Sequence, residues 1–328
     1  MPSVDPIPPQ NSVDSSLEEY QNPTAISVAR RRLTVDGIQA DLDGLDMEIE
    51  PGEVDTCPPQ PNEDVFVGVF AGKSSKGYVP YNPRKVNQDW MLIRQDAVTG
   101  TLVLGTFDGH GEHGHCISEF ICTCFYNLLL AHDQYVTDLK QAALDSLATA
   151  EKECIQSIFF FLPINLIDRF IKTEFSGTTA VICIIRGKQL IVLNVGDSRA
   201  IIASEVGEER VITPLTRDHK PSLEDEKARI LAAGGRVFSM EYEDGYNGPA
   251  RVWLADQDIP GLAMSRSLCD TVAHSVGVIS EPEVTERTLT DDDRVLVMGS
   301  DGLWEFIPSE EVIQLIEDCE QPEVGLSE

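Results

Sequence analysis

The sequence is short of positive charge: 25 Lys and Arg stand against 55 Asp and Glu, a formal net charge of -30 over 328 residues. Nucleic acid and anionic membrane are thereby excluded as main partners, because both call for a cationic surface. Any phosphate-bearing ligand needs local positive charge, from metal ions or a well-placed arginine. Long apolar runs are missing as well. The most apolar stretch, Ile158 to Ile164, is far too short to cross a bilayer and is followed by Asn165, Asp168 and Arg169, so no membrane span is expected. Residues 1 to 20 are polar and proline-rich without an apolar centre, which argues against a signal peptide, and Pro2 excludes N-myristoylation. None of the eight cysteines forms a Cys-x-x-Cys pair. Scattered thiols of this kind fit a reduced protein of the cytoplasm or nucleus.

What is present is enough apolar residues, 42%, for a sizeable core. They are unevenly placed. Residues 1 to 62 hold many prolines and an acidic run from Asp41 to Asp55 without a sustained apolar period, and read as a mostly disordered tail. Within it, Arg30-Arg31-Arg32-Leu33-Thr34 reads as a surface charge cluster or a site for a kinase that prefers basic residues. From residue 63 onward the pattern is that of one globular domain. Val65 to Phe70, Leu102 to Phe107, Thr178 to Ile185, Gln189 to Val195, Ser198 to Ala203 and Arg294 to Met298 read as strands, with Ser198 to Ala203 expected to continue the meander of the two runs before it. Ile117 to Ala131, Asp138 to about residue 160, Pro221 to Ala233 and Pro308 to about Cys319 read as helices, whereas residues 236 to 261 read as an irregular loop. Strand runs with clustered helices, rather than strict alternation, predict an α+β layered sandwich.

The chemistry is concentrated at strand ends. Phe107-Asp108-Gly109-His110-Gly111 follows an apolar strand, so its turn offers a carboxylate, an uncrowded glycine carbonyl and an imidazole that titrates near neutral pH. Asp89, Asp270 and Asp301 stand in similar settings, and Glu174 lies just ahead of Ser176-Gly177-Thr178-Thr179. Each alone reads as a turn or cap residue. Converging on one edge of a sandwich, they would form an all-oxygen site suited to Mg2+ or Mn2+ rather than Zn2+. His113 and His115 add imidazoles nearby, but no cysteine is spaced to complete a zinc cluster.

These motifs, with Asn194 to Arg199, Asp218-His219-Lys220-Pro221, Ala232 to Gly235, Leu262 to Ser267 and Asp301-Gly302-Leu303-Trp304, resemble in order and spacing those of the metal-dependent serine/threonine protein phosphatases of the 2C type, the PPM family. The resemblance implies a four-layer α-β-β-α sandwich of two mainly antiparallel sheets flanked by helices, acting as a monomer on phosphoprotein substrates. It implies two Mg2+ or Mn2+ ions and a weaker third. Asp108 is similar to the bridging metal ligand, Gly109 to the carbonyl ligand, Asp270 and Asp301 to the carboxylates of the second metal, Asp89 to the residue holding metal-bound water, and Glu174 to that of the third metal. Arg84 is similar to the arginine that receives the phosphate and His110 to the general acid. Residues 236 to 261 correspond to the family's variable flap, where Tyr242, Tyr246 and Trp253 are expected to help choose substrates.

The departures carry expectations of their own. Gln88 stands where many relatives have Glu, Glu305 where Asp is common, and Cys269 where Gly is usual, which predicts a strained Cβ if that position needs positive φ. The family's C-terminal strand is expected to be missing after Glu328, leaving a sheet edge unpaired. The alternative that this raises is a catalytically weak or inactive phosphatase-like binding module.

Overall fold

A computed structural model describes residues 67–77, 84–156, 171–241 and 247–317. The expected tail, the apolar stretch at 158–164, Tyr242 and Tyr246 lie outside the described residues. In chain order the elements are β1 (Asp89–Gln95), β2 (Leu102–His110), α1 (Gly114–Ala131), α2 (Leu139–Gln156), β3 (Gly177–Thr178), β4 (Ala180–Arg186), β5 (Gln189–Val195), β6 (Arg199–Val206) and β7 (Glu209–Pro214). They continue with α3 (Glu224–Ala232), β8 (Arg236–Glu241), β9 (Asn247–Trp253), β10 (Pro260–Leu262), β11 (Leu268–Cys269), α4 (Thr271–His274), β12 (Glu283–Thr288), β13 (Asp293–Gly299), α5 (Asp301–Trp304) and α6 (Ser309–Glu317).

Two antiparallel sheets make the sandwich. The larger runs β11-β3-β2-β4-β5-β12, with β1 also on β2; the smaller runs β13-β6-β7. The four layers follow from alternation along the strands. On β4, Ala180, Ile182 and Ile184 face one apolar cluster with α1 and α2, while Val181, Cys183 and Ile185 face another shared with Ala200, Ile202 and Leu296 of the second sheet. On the far side of that second sheet, Ile201, Ala203 and Val297 meet Leu303, Trp304, Val312 and Ile313. Every strand residue of this kind serves one core or the other, so a one-residue slip would exchange them all.

α1 is the one helix among the described residues that is long and apolar enough to cross a membrane. Its apolar face is already used: Ile117, Ile121, Phe125 and Leu129, four residues apart, are fully buried against the larger sheet and α2. Each such burial contributes about 1.5–3 kcal/mol.

Three expectations are corrected. Residues 67–70 form no strand; Val67 and Phe70 instead pack as coil against the core between the sheets. The strand after Ser198 does not continue the β4–β5 meander but crosses to the second sheet, through a turn in which Gly196 has φ +106°. The described part of 236–261 is not an irregular loop: β8, β9 and β10 form a small antiparallel sheet, with Phe238 stacked on Trp253 at 5.0 Å between ring centroids. Val237 and Val252 pair across its ladder, and they join Leu262 and Ile230 in a separate apolar cluster. Gly, Pro and Asp in this segment conceal the alternation that builds it.

Candidate active site

The site forms where β1, β2 and β3 end together. Asp89 and Asp108 are direct partners across the β1–β2 ladder. The Asp108 backbone N–H donates to Thr179 Oγ1 (3.1 Å) and its carbonyl accepts the Thr179 N–H (2.9 Å). Thr179 separates β3 from β4, and its hydroxyl also meets Ser198 Oγ at 2.7 Å. Gly109 is required by close packing rather than by its φ: a Cβ there would lie 2.4 Å from the Gly114 carbonyl oxygen and 2.6 Å from that of Gln88.

Asp270 and Asp301 arrive from the other end of the chain. Asp270 is 2% exposed and precedes α4 with φ +37°. Its Oδ2 lies 2.5 Å from His110 Nε2. Asp301 opens α5 at the end of β13. Burial, then the neighbouring charges of Asp89 and Asp301, a hydrogen bond with Asp89 and the charge of Asp197 hold the Asp108 carboxyl well above the usual carboxylate range. Burial alone would lower the pKa of His110, but the Asp270 carboxylate beside it, with Asp197 and Asp301 behind, raises it on balance.

Asp197 is a site residue that sequence reasoning missed. It is 2% exposed, and its Oδ2 accepts from Lys220 Nζ at 2.5 Å. Within Gly196-Asp197-Ser198 it looks like an ordinary turn residue; the signal available was its place inside one of the family's motifs. Gln88 also has a definite task. Its side-chain amide donates to the Gly111 carbonyl at 2.7 Å, and its backbone carbonyl accepts from Gly109 N–H and Ser118 Oγ, so it shapes the turn.

Two further predicted residues, Glu174 and Arg84, are exposed. Glu174 lies in the loop before β3, and its carbonyl accepts the Val272 N–H at 3.2 Å. Arg84 borders the segment 78–83, outside the described residues. The strain expected at Cys269 is present, with φ +72°.

The charges that act most strongly on Asp108 are all carboxylates, and Lys220 offsets Asp197 beside them. Such a donor set fits hard divalent cations, which would relieve the repulsion and accept oxygen ligands. Among the described residues no three His, Cys, Asp or Glu side chains stand in closed ligating geometry around one point. The fit is therefore one of charge and donor chemistry.

Residues 135–324 match the family model described as Protein phosphatase 2C. The probable protein phosphatase 2C 72 of Arabidopsis thaliana is 36% identical over 239 residues, covering 70% of this chain and 69% of the relative. The probable protein phosphatase 2C 12 of Oryza sativa subsp. japonica is 34% identical over 317 residues, covering 79% of this chain and 77% of the relative. Among solved structures, a serine-threonine phosphatase 2C from Toxoplasma gondii shares the fold, with TM-score 0.62 at 20% identity over 74% of this chain and 85% of that one. Sequence and architecture agree that this chain belongs to the protein phosphatase 2C family. It is a protein serine/threonine phosphatase, of a family that is generally metal-dependent.

Proposed function

We propose that the chain hydrolyses phosphoserine and phosphothreonine in proteins as a monomer, with two Mg2+ or Mn2+ ions held by Asp89, Asp108, the Gly109 carbonyl, Asp270 and Asp301, and a weaker third near Glu174. The observation that carries this reading is the half-buried Asp108 carboxyl, paired with Asp89 across the β1–β2 ladder and raised in pKa by burial and by the charges of Asp89, Asp301 and Asp197. When bound, such a cation pair supplies a nucleophile from water at neutral pH and offsets charge on the phosphoryl oxygens.

The chain's own residues supply the rest. Arg84 receives two phosphate oxygens through its guanidinium fork, fixing the phosphorus for in-line attack. The seryl or threonyl alkoxide is a poor leaving group, so His110 donates a proton to it. Its Nε2 is engaged by Asp270 Oδ2, which holds the ring in place, and its Nδ1 is buried without a protein partner. Asp270 keeps the imidazolium charged until transfer, and general acid catalysis of this type contributes about 10²- to 10⁴-fold.

Phosphate release from a phosphothreonine peptide, with Mn2+ and with chelator, tests the reading. Turnover that requires the metal and disappears in Asp108→Asn is expected. A folded, Mn2+-binding chain with no turnover on peptide or aryl phosphate would overturn it and leave the phosphatase-like binding module.

A further inference from the structure

Cys269 and Asp270 occupy the left-handed backbone region in succession, at φ +72° and +37°. A Cβ makes that region costly, and such residues persist only where their surroundings over-determine them. Part of the restraint comes from β3 and α4: the Asp270 N–H donates to the Ser176 carbonyl at 3.1 Å, and the Asp270 carbonyl accepts the His274 N–H at 3.0 Å. The remainder comes from α2. Glu151 Oε1 accepts the Cys269 N–H at 2.9 Å, and Cys154, one turn further along the same helix, is buried in the same apolar cluster as Cys269.

Glu151 is out of character for its position. It lies on the inner face of α2 with Leu147, Ala150 and Cys154, and is only 9% exposed. An apolar side chain would serve helix packing there without the cost of desolvating a carboxylate. A carboxylate accepting a backbone N–H makes a charge-assisted bond, stronger than one from a neutral acceptor. Its target is the amide immediately before Asp270, whose Oδ2 meets His110 Nε2.

We propose that Glu151 is a positioning residue: it anchors the Cys269 amide so that the strained Cys269–Asp270 turn aims the Asp270 carboxylate at His110 and at the cation pair. This rests on the reading of Asp270 as a metal ligand given above. Outer partners of metal ligands typically change metal affinity by about 10- to 100-fold when removed. Glycine adopts positive φ without a steric cost, so Cys269→Gly relaxes the turn and lessens its dependence on the anchor.

The test is Mn2+ binding by isothermal titration calorimetry to the full chain and to Glu151→Ala, Glu151→Gln, Cys269→Gly and the Glu151→Ala/Cys269→Gly double variant. Thermal unfolding of each metal-free protein and steady-state kinetics on a phosphothreonine peptide accompany it. Glu151→Ala is expected to weaken Mn2+ binding by about 10-fold or more and to lower kcat with little change in KM. Glu151→Gln, whose amide oxygen still accepts the N–H, retains most of the affinity. In the Cys269→Gly background the loss shrinks to roughly threefold or less, the signature of coupled sites. Equal losses in both backgrounds, or no loss in either, would overturn the proposal. If Glu151→Ala alone does not fold, a loss of about tenfold between Cys269→Gly and the double variant overturns it equally. A wild-type chain that neither binds Mn2+ nor turns over substrate defeats the phosphatase mechanism instead, so the two failures are distinct.

Discussion

His110 Nε2 and Asp270 Oδ2 lie 2.5 Å apart, joining the end of β2 to a turn 160 residues further along the chain. The contact gives one carboxylate two tasks in the proposed mechanism: it holds a cation, and it raises the pKa of the imidazole beside it. His110→Ala should therefore lower kcat on a phosphothreonine peptide by about 10²- to 10⁴-fold. On an aryl phosphate, whose phenolate leaves without protonation, the loss should be much smaller. Parallel kinetics on the two substrates check this, and equal losses would remove His110 from the proton-donor role.

Asp108→Asn separates metal binding from stability. The folded pKa of Asp108 lies above its unfolded value, so the metal-free protein has that contribution in full at acid pH and loses it as pH rises through the folded pKa. Neutral asparagine removes the penalty. Metal-free Asp108→Asn should melt above metal-free wild type at pH 7.5 while showing no turnover. In wild type, Mn2+ at a hundredfold excess over its Kd should add about 2.7 kcal/mol. The variant should lose most of that increment, and calorimetric melting with and without Mn2+ measures both effects.

The layered fold was legible because β4 and β5 are short, continuous apolar runs rich in β-branched residues and bounded by turn residues, and α1 repeats apolar residues at four-residue steps. The β8–β10 sheet was not, since its strands hold Gly248, Pro249, Pro260 and Gly261 and draw their stability from packing on α3 and α4. The places of Asp108 and His110 at the end of β2, and of Asp270 and Asp301 just after strands, could be read from the local sequence. Asp197 and Glu151 could not. Their roles arise from tertiary neighbours, Lys220 for one and the Cys269 amide 118 residues away for the other, and a local window contains neither.

His219 sets an acid limit on stability. Its ring is fully buried, Nδ1 accepts the Gly196 N–H at 3.1 Å, and Nε2 faces Glu283 at 3.0 Å. Burial, reinforced by the charge of Arg266, lowers its pKa against the opposing pull of Glu283. The unfolded chain thus binds this proton more readily. Stability from His219 is complete above the unfolded value of about 6.5 and is lost as pH falls through the folded pKa. His219→Ala should cost about 1–3 kcal/mol at pH 7.5 by leaving the Gly196 N–H unsatisfied. It should also flatten the decline between pH 7 and 5, as read from urea midpoints; an unchanged slope would show that other groups govern it.

Gly177→Ala tests how tightly the Asp270 carboxylate is housed. A Cβ at Gly177 would lie 2.3 Å from Asp270 Oδ2 and 2.5 Å from the Leu268 carbonyl oxygen. The second contact is backbone in a buried strand pair, Leu268 with Thr178 and Cys269 with Gly177, and cannot swing aside. Asp270 is the movable partner, but displacing it breaks the contact with His110 and turns it from Asp108's side of the site. Overpacking of this kind costs about 1–3 kcal/mol. The larger effect should be functional: Mn2+ affinity and turnover fall together, and the His110 ring, no longer held beside a carboxylate, titrates at lower pH in NMR. If Gly177→Ala keeps wild-type Mn2+ affinity while losing only stability, the Asp270 carboxylate does not hold the cation. Asp108, Asp89 and Asp301 would then have to bind it without Asp270.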